Sequence, residues 1–152
     1  MGGAFDEFIF GPRLDNLVGV YCSIMGLTKS ISKENSLQNE EGIRVVALYD
    51  HEEVGNESAQ GAASSLTEHI LRRLSDQANF ELAMSRSFLI SADQAHAVHP
   101  NYSDIHEENH RPTLHGGVVL RKNILHNSVS ASVLREAGKI AKVPIQGQKF
   151  LS

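Results

Sequence analysis

The chain has 152 residues, of which 41% are hydrophobic and 21% charged, a length and composition typical of one globular domain that buries a core. Its net charge of -4 argues against a nucleic-acid or anionic-membrane partner, and it has neither an 18-residue apolar run nor the pattern of a signal peptide. The single cysteine, Cys22, excludes an internal disulfide and is typical of a reducing compartment.

The first part of the chain predicts a short strand, a helix and a polar loop. Residues 8–10 are apolar and precede a Gly-Pro pair, which should end a short strand. Apolar residues at helical spacing predict a helix over residues 17–29, with Asn16 as its N-cap. Asp15 stands at the strand-to-helix junction, where a carboxylate could reach a metal or simply belong to the cap. Residues 28–42 are polar and predict a surface loop.

A predicted buried strand over residues 43–49 runs directly into a carboxylate cluster. Asp50, Glu52 and Glu53 follow the apolar run. Ligands bind at the carboxyl ends of strands in open α/β sheets, and neighbouring carboxylates repel one another unless a cation lies between them. The cluster is therefore a candidate metal site, with a solvated acidic turn as the alternative.

Helices and strands alternate through the rest of the chain. The apolar spacing predicts helices over residues 57–74, 77–84 and 130–142, strands over 88–90 and 118–120, a polar loop over 103–117, and a frayed end over the last eight residues.

A second carboxylate, Asp93, follows the predicted strand at residues 88–90, and two histidines, His96 and His99, come soon after it. Histidine and aspartate are both good ligands for zinc-like metals, although one such histidine could equally be a core residue. Carboxylates at three junctions suit a two-metal site, in which ions roughly 3.5–4 Å apart share a bridging carboxylate. Of Glu52 and Glu53, one would bind metal and the other would accept a proton from water, and the spacing leaves open which does which.

Several long segments resemble aspartyl aminopeptidases, the M18 family of zinc metallopeptidases. They are Phe8-Ile9-Phe10-Gly11-Pro12-Arg13-Leu14-Asp15-Asn16, Asp50-His51-Glu52-Glu53-Val54-Gly55 with Glu57-Ser58-Ala59-Gln60-Gly61, Ser91-Ala92-Asp93-Gln94-Ala95-His96-Ala97-Val98-His99-Pro100-Asn101-Tyr102, and Glu107-Glu108-Asn109-His110-Arg111-Pro112. The resemblance covers about residues 4–123, in the family's order, and residues 124–152 diverge from it.

The resemblance implies a cytoplasmic, homo-oligomeric exopeptidase that removes N-terminal Asp or Glu from peptides with two zinc ions. It implies an α/β fold with a mixed sheet flanked by helices, of which residues 1–152 would form an incomplete catalytic domain. The implied roles are general base for Glu52, zinc ligand for Asp15, Glu53 and Asp93, and substrate contact for His96 and Arg121. Arg121 stands where the family usually has a lysine, and the two cations differ in shape and donor geometry.

The sequence also departs from the family pattern. Family members are much longer, each zinc normally takes one more histidine from segments absent here, and the inserted oligomerising domain is absent as well. A substrate-contacting tyrosine is expected soon after Asn123, where the chain reads Ile124-Leu125-His126-Asn127-Ser128. We therefore expect a central piece of the enzyme that is weak or inactive alone, unless His51, His99 or His126 completes the metal site.

Two other functions fit the same residues. One is a non-catalytic fragment that associates with full-length subunits. The other is a related dinuclear metallo-aminopeptidase with a different side-chain preference.

Overall fold

The computed structural model describes residues 1–32, 34, 37–121 and 128–148. The chain divides into two compact units, Met1–Gln94 and Ala95–Ser152. Each unit is built differently: helices and loops make up the described part of the first unit apart from one isolated β-bridge, and a strand–helix–strand arrangement makes up the second.

Three α-helices form the regular structure of the first unit within its described residues. They are α1 (Leu14–Ile31), α2 (Leu66–Leu74) and α3 (Phe80–Ser85), and a 3-10 turn, Gln77–Asn79, leads into α3. The predicted helices at residues 17–29 and 77–84 are confirmed, whereas the one at 57–74 forms only over its second half because residues 57–65 form turns. Asn16 is not the N-cap as predicted, since α1 already begins at Leu14 after a left-handed Arg13.

The strands predicted for the first unit are wrong for this structure. Residues 43–49 and 88–90 have no strand pairing, and residues 8–10 contribute only a single bridge between Gly2 and Phe8. A strand exists only where a neighbour completes its hydrogen bonds, and the described residues offer none to these segments. Their apolar side chains are accordingly exposed rather than buried; the side chains of Val45 and Leu89 are examples, at 48% and 83% exposure.

One buried aromatic ring joins α2 to α3. Phe80 is 6% exposed, and the guanidinium of Arg72 lies 4.0 Å from the centre of its ring. The same guanidinium donates to Glu68 within α2 at 2.9 Å and to Glu81 of α3 at 3.1 Å. The cation–π contact and the two carboxylate partners of Arg72 therefore hold α2 against α3.

The second unit contains a two-stranded parallel sheet with a helix between its strands. Strand β1 (Val118–Arg121) pairs with β2 (Ile145–Gln148), so that Val118 lies opposite Ile145 and Arg121 opposite Gln148. Helix α4 (Ser128–Ala141) connects them, and a 3-10 turn, Pro100–Ile105, precedes the sheet. The predicted strand at 118–120 and helix at 130–142 are confirmed, but the frayed end is wrong over residues 145–148, which form β2.

A glutamine and a glycine hold the start of the sheet together. The Gln146 side chain accepts a hydrogen bond from the Thr113 amide and donates to the carbonyls of Thr113 and Gly117, all at 3.0–3.1 Å. Gly117 has φ +101°, and a β-carbon there would lie 2.2 Å from the carbonyl oxygen of Pro144. Only glycine allows the two strands to approach this closely.

The chain leaves much of its surface in contact with solvent. Its accessible area is 12380 Å², whereas a folded protein of 16.7 kDa should expose roughly 7,600 Å², and about 9,000 Å² if each unit followed the same scaling separately. Phe80 is the only buried hydrophobic residue among those described. Within the described residues, no helix has the length and apolar character needed to cross a membrane.

Replacing Gly117 with alanine should destabilise the second unit by roughly 2–4 kcal/mol, because the methyl group meets a backbone carbonyl and the left-handed conformation becomes strained. Gly26→Ala is the matched control: Gly26 lies within α1, and a β-carbon added there would have no neighbour within 4 Å, so it should stabilise by about 0.5–1 kcal/mol. Urea unfolding of both variants, followed by amide signals from each unit, measures the difference. Equal stability of the two variants would contradict the close approach at Gly117.

Candidate active site

The paired glutamates lie in a loop closed by its own main chain. The Asp50 amide donates to the Gln60 carbonyl at 3.2 Å, and the Asn56 amide donates to the His51 carbonyl at 3.0 Å. The Gly55 amide donates to the carbonyl of Glu52 at 3.0 Å. Glu52 and Glu53 therefore sit on a defined turn although no helix or strand carries them.

The sequence explains why this loop can turn so sharply. His51, Gly55 and Asn56 all have positive φ, at 62°, 98° and 63°, a region that glycine and asparagine enter most easily. Gly61 is buried, and a β-carbon there would lie 2.0 Å from the Asn56 carbonyl oxygen. The glycines and the asparagine of the motif are thus explained by the fold of the loop.

One side-chain hydrogen bond links the two halves of the loop. The Nδ1 atom of His51 lies 2.6 Å from the hydroxyl oxygen of Ser58. Glu52 and Glu53 are exposed, and among the described residues their carboxylates form no hydrogen bond or ion pair. Their positions are therefore set by the main chain, and His51 and Ser58 help to hold that main chain.

The other two predicted metal ligands also lie in the first unit. Asp15 is exposed in the first turn of α1, where its ψ of 109° breaks the helical geometry, and the Asp15–Asn16 peptide bond is cis. Asp93 is exposed in a segment without regular structure, and its neighbour Gln94 approaches α1 at Gly19, with 3.8 Å between the amide nitrogen and the position of a β-carbon there.

The described residues do not assemble a metal site. Within residues 1–32, 34, 37–121 and 128–148, no three His, Cys, Asp or Glu side chains are grouped as metal ligands. Asp15, Glu53 and Asp93 therefore do not fit a zinc ion as they stand, and their roles stay predictions. The segments that lead into Glu53 and Asp93 have no strand pairing, so no sheet edge brings their ends together.

Two of the three histidines that could substitute as metal ligands, His51 and His99, form hydrogen bonds with other residues. His51 bonds to Ser58, and Nδ1 of His99 accepts a hydrogen bond from the Asn101 amide at 3.1 Å. His126, with residues 122–127, lies outside the described residues.

The two predicted substrate-contacting residues lie in the second unit. Arg121 is the half-buried last residue of β1, and His96 is exposed. Two further residues of this unit are fully buried and have no role predicted from the sequence: His106 at 1% and Gln148 at 2% exposure. His106 is one of six histidines between residues 96 and 126, and this clustering is the sequence signal that points to it. Gln148 lies in the stretch predicted to be frayed and carries no such signal.

A charged loop follows this site. Glu107 accepts hydrogen bonds from the amide and the side chain of Asn109, both at 3.2 Å, and from the ring of His110. The hydrogen bond from His110, and then that from the Asn109 amide, holds the pKa of Glu107 below its usual range. His110 also packs against β2, because its ring would lie 2.8 Å from a β-carbon at Gly147.

Comparison with known proteins gives these motifs a context. The family model described as "Aminopeptidase I zinc metalloprotease (M18)" matches residues 1–150. The chain belongs to the M18 family. Its match to this family also confirms the expected α/β class, although the described sheet is a parallel pair rather than a mixed sheet.

Curated relatives of this M18 chain include the aspartyl aminopeptidase of Caenorhabditis elegans, 52% identical over 151 residues, which are 95% of this chain and 32% of that protein. A probable aspartyl aminopeptidase of Ricinus communis is 45% identical over 155 residues, 96% of this chain and 32% of that protein. The chain thus spans about a third of the length of these relatives.

Solved structures agree with the assignment to the M18 family. A chain from the cryo-EM structure of the Ape4 and Nbr1 complex superposes with a TM-score of 0.92 at 40% identity, covering 100% of this chain and 30% of that one. The crystal structure of yeast aminopeptidase 1 (Ape1) superposes with a TM-score of 0.79 at 26% identity, covering 96% of this chain and 35% of that one.

Ser58→Ala should loosen the glutamate loop without unfolding the chain. Loss of one hydrogen bond of ordinary strength should raise the exchange rate of the Asn56 amide about fivefold, as measured by hydrogen exchange with NMR detection. Ser58→Thr should restore slow exchange. Ser64→Ala is the matched control, since Ser64 donates only to the Gly61 carbonyl, at 2.7 Å; an equal effect from this control would contradict the role of Ser58.

Acid should weaken the loop around Glu107. Because the folded pKa of Glu107 is lowered, its carboxylate stabilises the fold above its ordinary pKa of about 4.3, and that contribution is lost as the pH falls through the folded value. Between about pH 7 and 2.5, the melting temperature of Glu107→Gln should therefore fall less steeply with decreasing pH than that of the wild type. Glu108→Gln controls for the loss of one negative charge. The same fall in melting temperature for the wild type and Glu107→Gln would refute the prediction.

Proposed function

We propose that the whole protein is an aminopeptidase that removes N-terminal Asp or Glu from peptides. The supporting observation is that the family match spans residues 1–150 and so includes all six predicted site residues. The names of the curated relatives, aspartyl aminopeptidases at 45–52% identity, support the acidic preference.

The proposed roles follow from the chemistry of each side chain. Glu52, an exposed carboxylate on a fixed turn, acts as the general base that accepts a proton from the attacking water. Arg121 binds the acidic side chain of the substrate, because a guanidinium can donate two parallel hydrogen bonds to a carboxylate. His96, which is exposed, contacts the substrate.

Asp15, Glu53 and Asp93 are proposed zinc ligands, in a site for two ions that the described residues alone do not complete. This chain should consequently have weak or no activity by itself. From the family resemblance, we also propose peptide substrates in the cytoplasm and a homo-oligomeric assembly of the whole protein.

A second function is favoured by the exposed surface. A chain with 12380 Å² of accessible area and one buried hydrophobic residue among those described has apolar faces that a partner could cover. It could therefore associate with full-length subunits without catalysis. Co-purification of the tagged chain with the C. elegans relative, at defined stoichiometry, would support this function.

The catalytic proposal is tested by moving residues 1–121 into the matching region of the C. elegans relative. The chimera should release the N-terminal residue of Asp-aminomethylcoumarin, and Glu52→Gln should lower kcat by roughly 10²–10⁴-fold, the usual effect of losing a general base. Arg121→Met should raise KM for Asp-aminomethylcoumarin more than for Asn-aminomethylcoumarin, which lacks the side-chain charge. Asn56→Gly, which keeps the left-handed turn, is the control and should retain activity.

Two outcomes would contradict the proposal. A chimera in which Glu52→Gln keeps full kcat would remove Glu52 from the mechanism. A 152-residue chain that alone matches the rate of the C. elegans enzyme would overturn the expectation of weak activity.

A further inference from the structure

The carboxyl end of β2 carries a buried polar side chain, Gln148, that has no role in the proposed reaction. It is 2% exposed, and its register partner across the parallel pair is Arg121. Partners in adjacent strands project their side chains from the same face of a sheet, at a strand spacing of about 4.8 Å. Gln148 and Arg121 therefore project from the same face of the paired strands.

Gln148 also reaches the other predicted substrate contact. Its Nε2 donates to the main-chain carbonyl of His96 at 3.5 Å, a long hydrogen bond. The His96 ring meets the ring of His106 edge-on, at an interplanar angle of 85° with 6.2 Å between centres. Because His106 is fully buried, it offers a fixed surface against which His96 packs. The Gln148 side chain thus connects His96 with β2, the strand that pairs with the one carrying Arg121.

Packing alone does not account for a glutamine at this position. The Gln148 Oε1 is buried, and among the described residues it has no hydrogen-bond partner, a situation that costs stability. Methionine has nearly the same length and would fill the space without that cost. A buried polar group that costs stability is typical of a functional site.

We propose that Gln148 is a positioning residue of the subsite for the acidic side chain of the substrate, where it holds the main chain of His96 on the face of the sheet that carries Arg121. This inference rests on the proposed function. It assigns part of the acidic selectivity to a residue that touches the substrate only through its neighbours.

Two replacements separate positioning from packing. Gln148→Met keeps the volume and removes the donor to His96, so the fold should be as stable as the wild type or more stable. Gln148→Glu also removes the donor and adds a carboxylate on the face of the sheet that carries Arg121, where it should compete with the substrate for the guanidinium group. Gln146→Met is the matched control, because Gln146 lies on the same face of β2 but bonds to Thr113 and Gly117.

The experiment uses the 152-residue chain with L-aspartate and its neutral isostere L-asparagine as probes. Binding and the ring signal of His96 are followed by NMR, and thermal unfolding is measured in parallel. Gln148→Met should shift the His96 signal and lower the aspartate-to-asparagine affinity ratio about three- to tenfold, without a loss of thermal stability. Gln148→Glu should abolish the preference, and Gln146→Met should lower stability while the folded chain keeps the preference.

An unchanged affinity ratio in Gln148→Met, or a ratio that falls only together with thermal stability, would overturn the inference. If the wild-type chain does not distinguish the two probes, the acidic preference in the proposed function fails for this chain. The His96 signal then decides alone: a shift in Gln148→Met that Gln146→Met does not produce supports the positioning role, and an equal or absent shift rejects it.

Discussion

The main-chain pairing of β1 with β2 is the interaction on which the second unit depends. Four register pairs, from Val118–Ile145 to Arg121–Gln148, hold the two strands together, and Gln146 and Gly117 close the sheet at its start. This pairing places Arg121 at a strand end, which is where an α/β sheet presents ligand-binding side chains. Among the described residues of the first unit, the corresponding apolar runs have no strand pairing.

Elements formed by contacts between residues close in sequence are predictable from the sequence, and elements that depend on distant contacts are not. The helix α4 and the strand β1 were predicted because their patterns are local. The strands expected at residues 43–49 and 88–90 failed because a strand also needs a partner, which an apolar run cannot specify. Strand β2 has a partner but no strand pattern in its sequence, because polar residues follow Ile145. Gln146 is held there by its contacts to Thr113 and Gly117.

In the candidate site, too, the residue types are evident from the sequence, but the contacts between distant residues are not. The residue types at Asp15, Glu52, Glu53 and Asp93 suggested acid–base and metal chemistry, and the family match covers all four positions. The residues that support such a site were not visible in the sequence. Ser58 bonds to a histidine seven residues away, and Gln148 reaches His96 across 52 residues. Contacts between distant residues depend on the folded chain, so only the structure identifies them.

The parallel arrangement of β1 and β2 has a consequence for the order in which the chain acquires structure. Antiparallel neighbours can form as soon as a tight turn is made, but these strands are joined through α4, and pairing begins between Val118 and Ile145. The entropy of closing so long a connection makes this pairing slow. Pairing also cannot begin before β2 has been synthesised. During synthesis, the glutamate loop at residues 50–63, whose contacts are local, can form while the ribosome is still far from β2. The parallel pair, and with it the proposed acidic subsite, can form only after Gln148 has emerged from the exit tunnel.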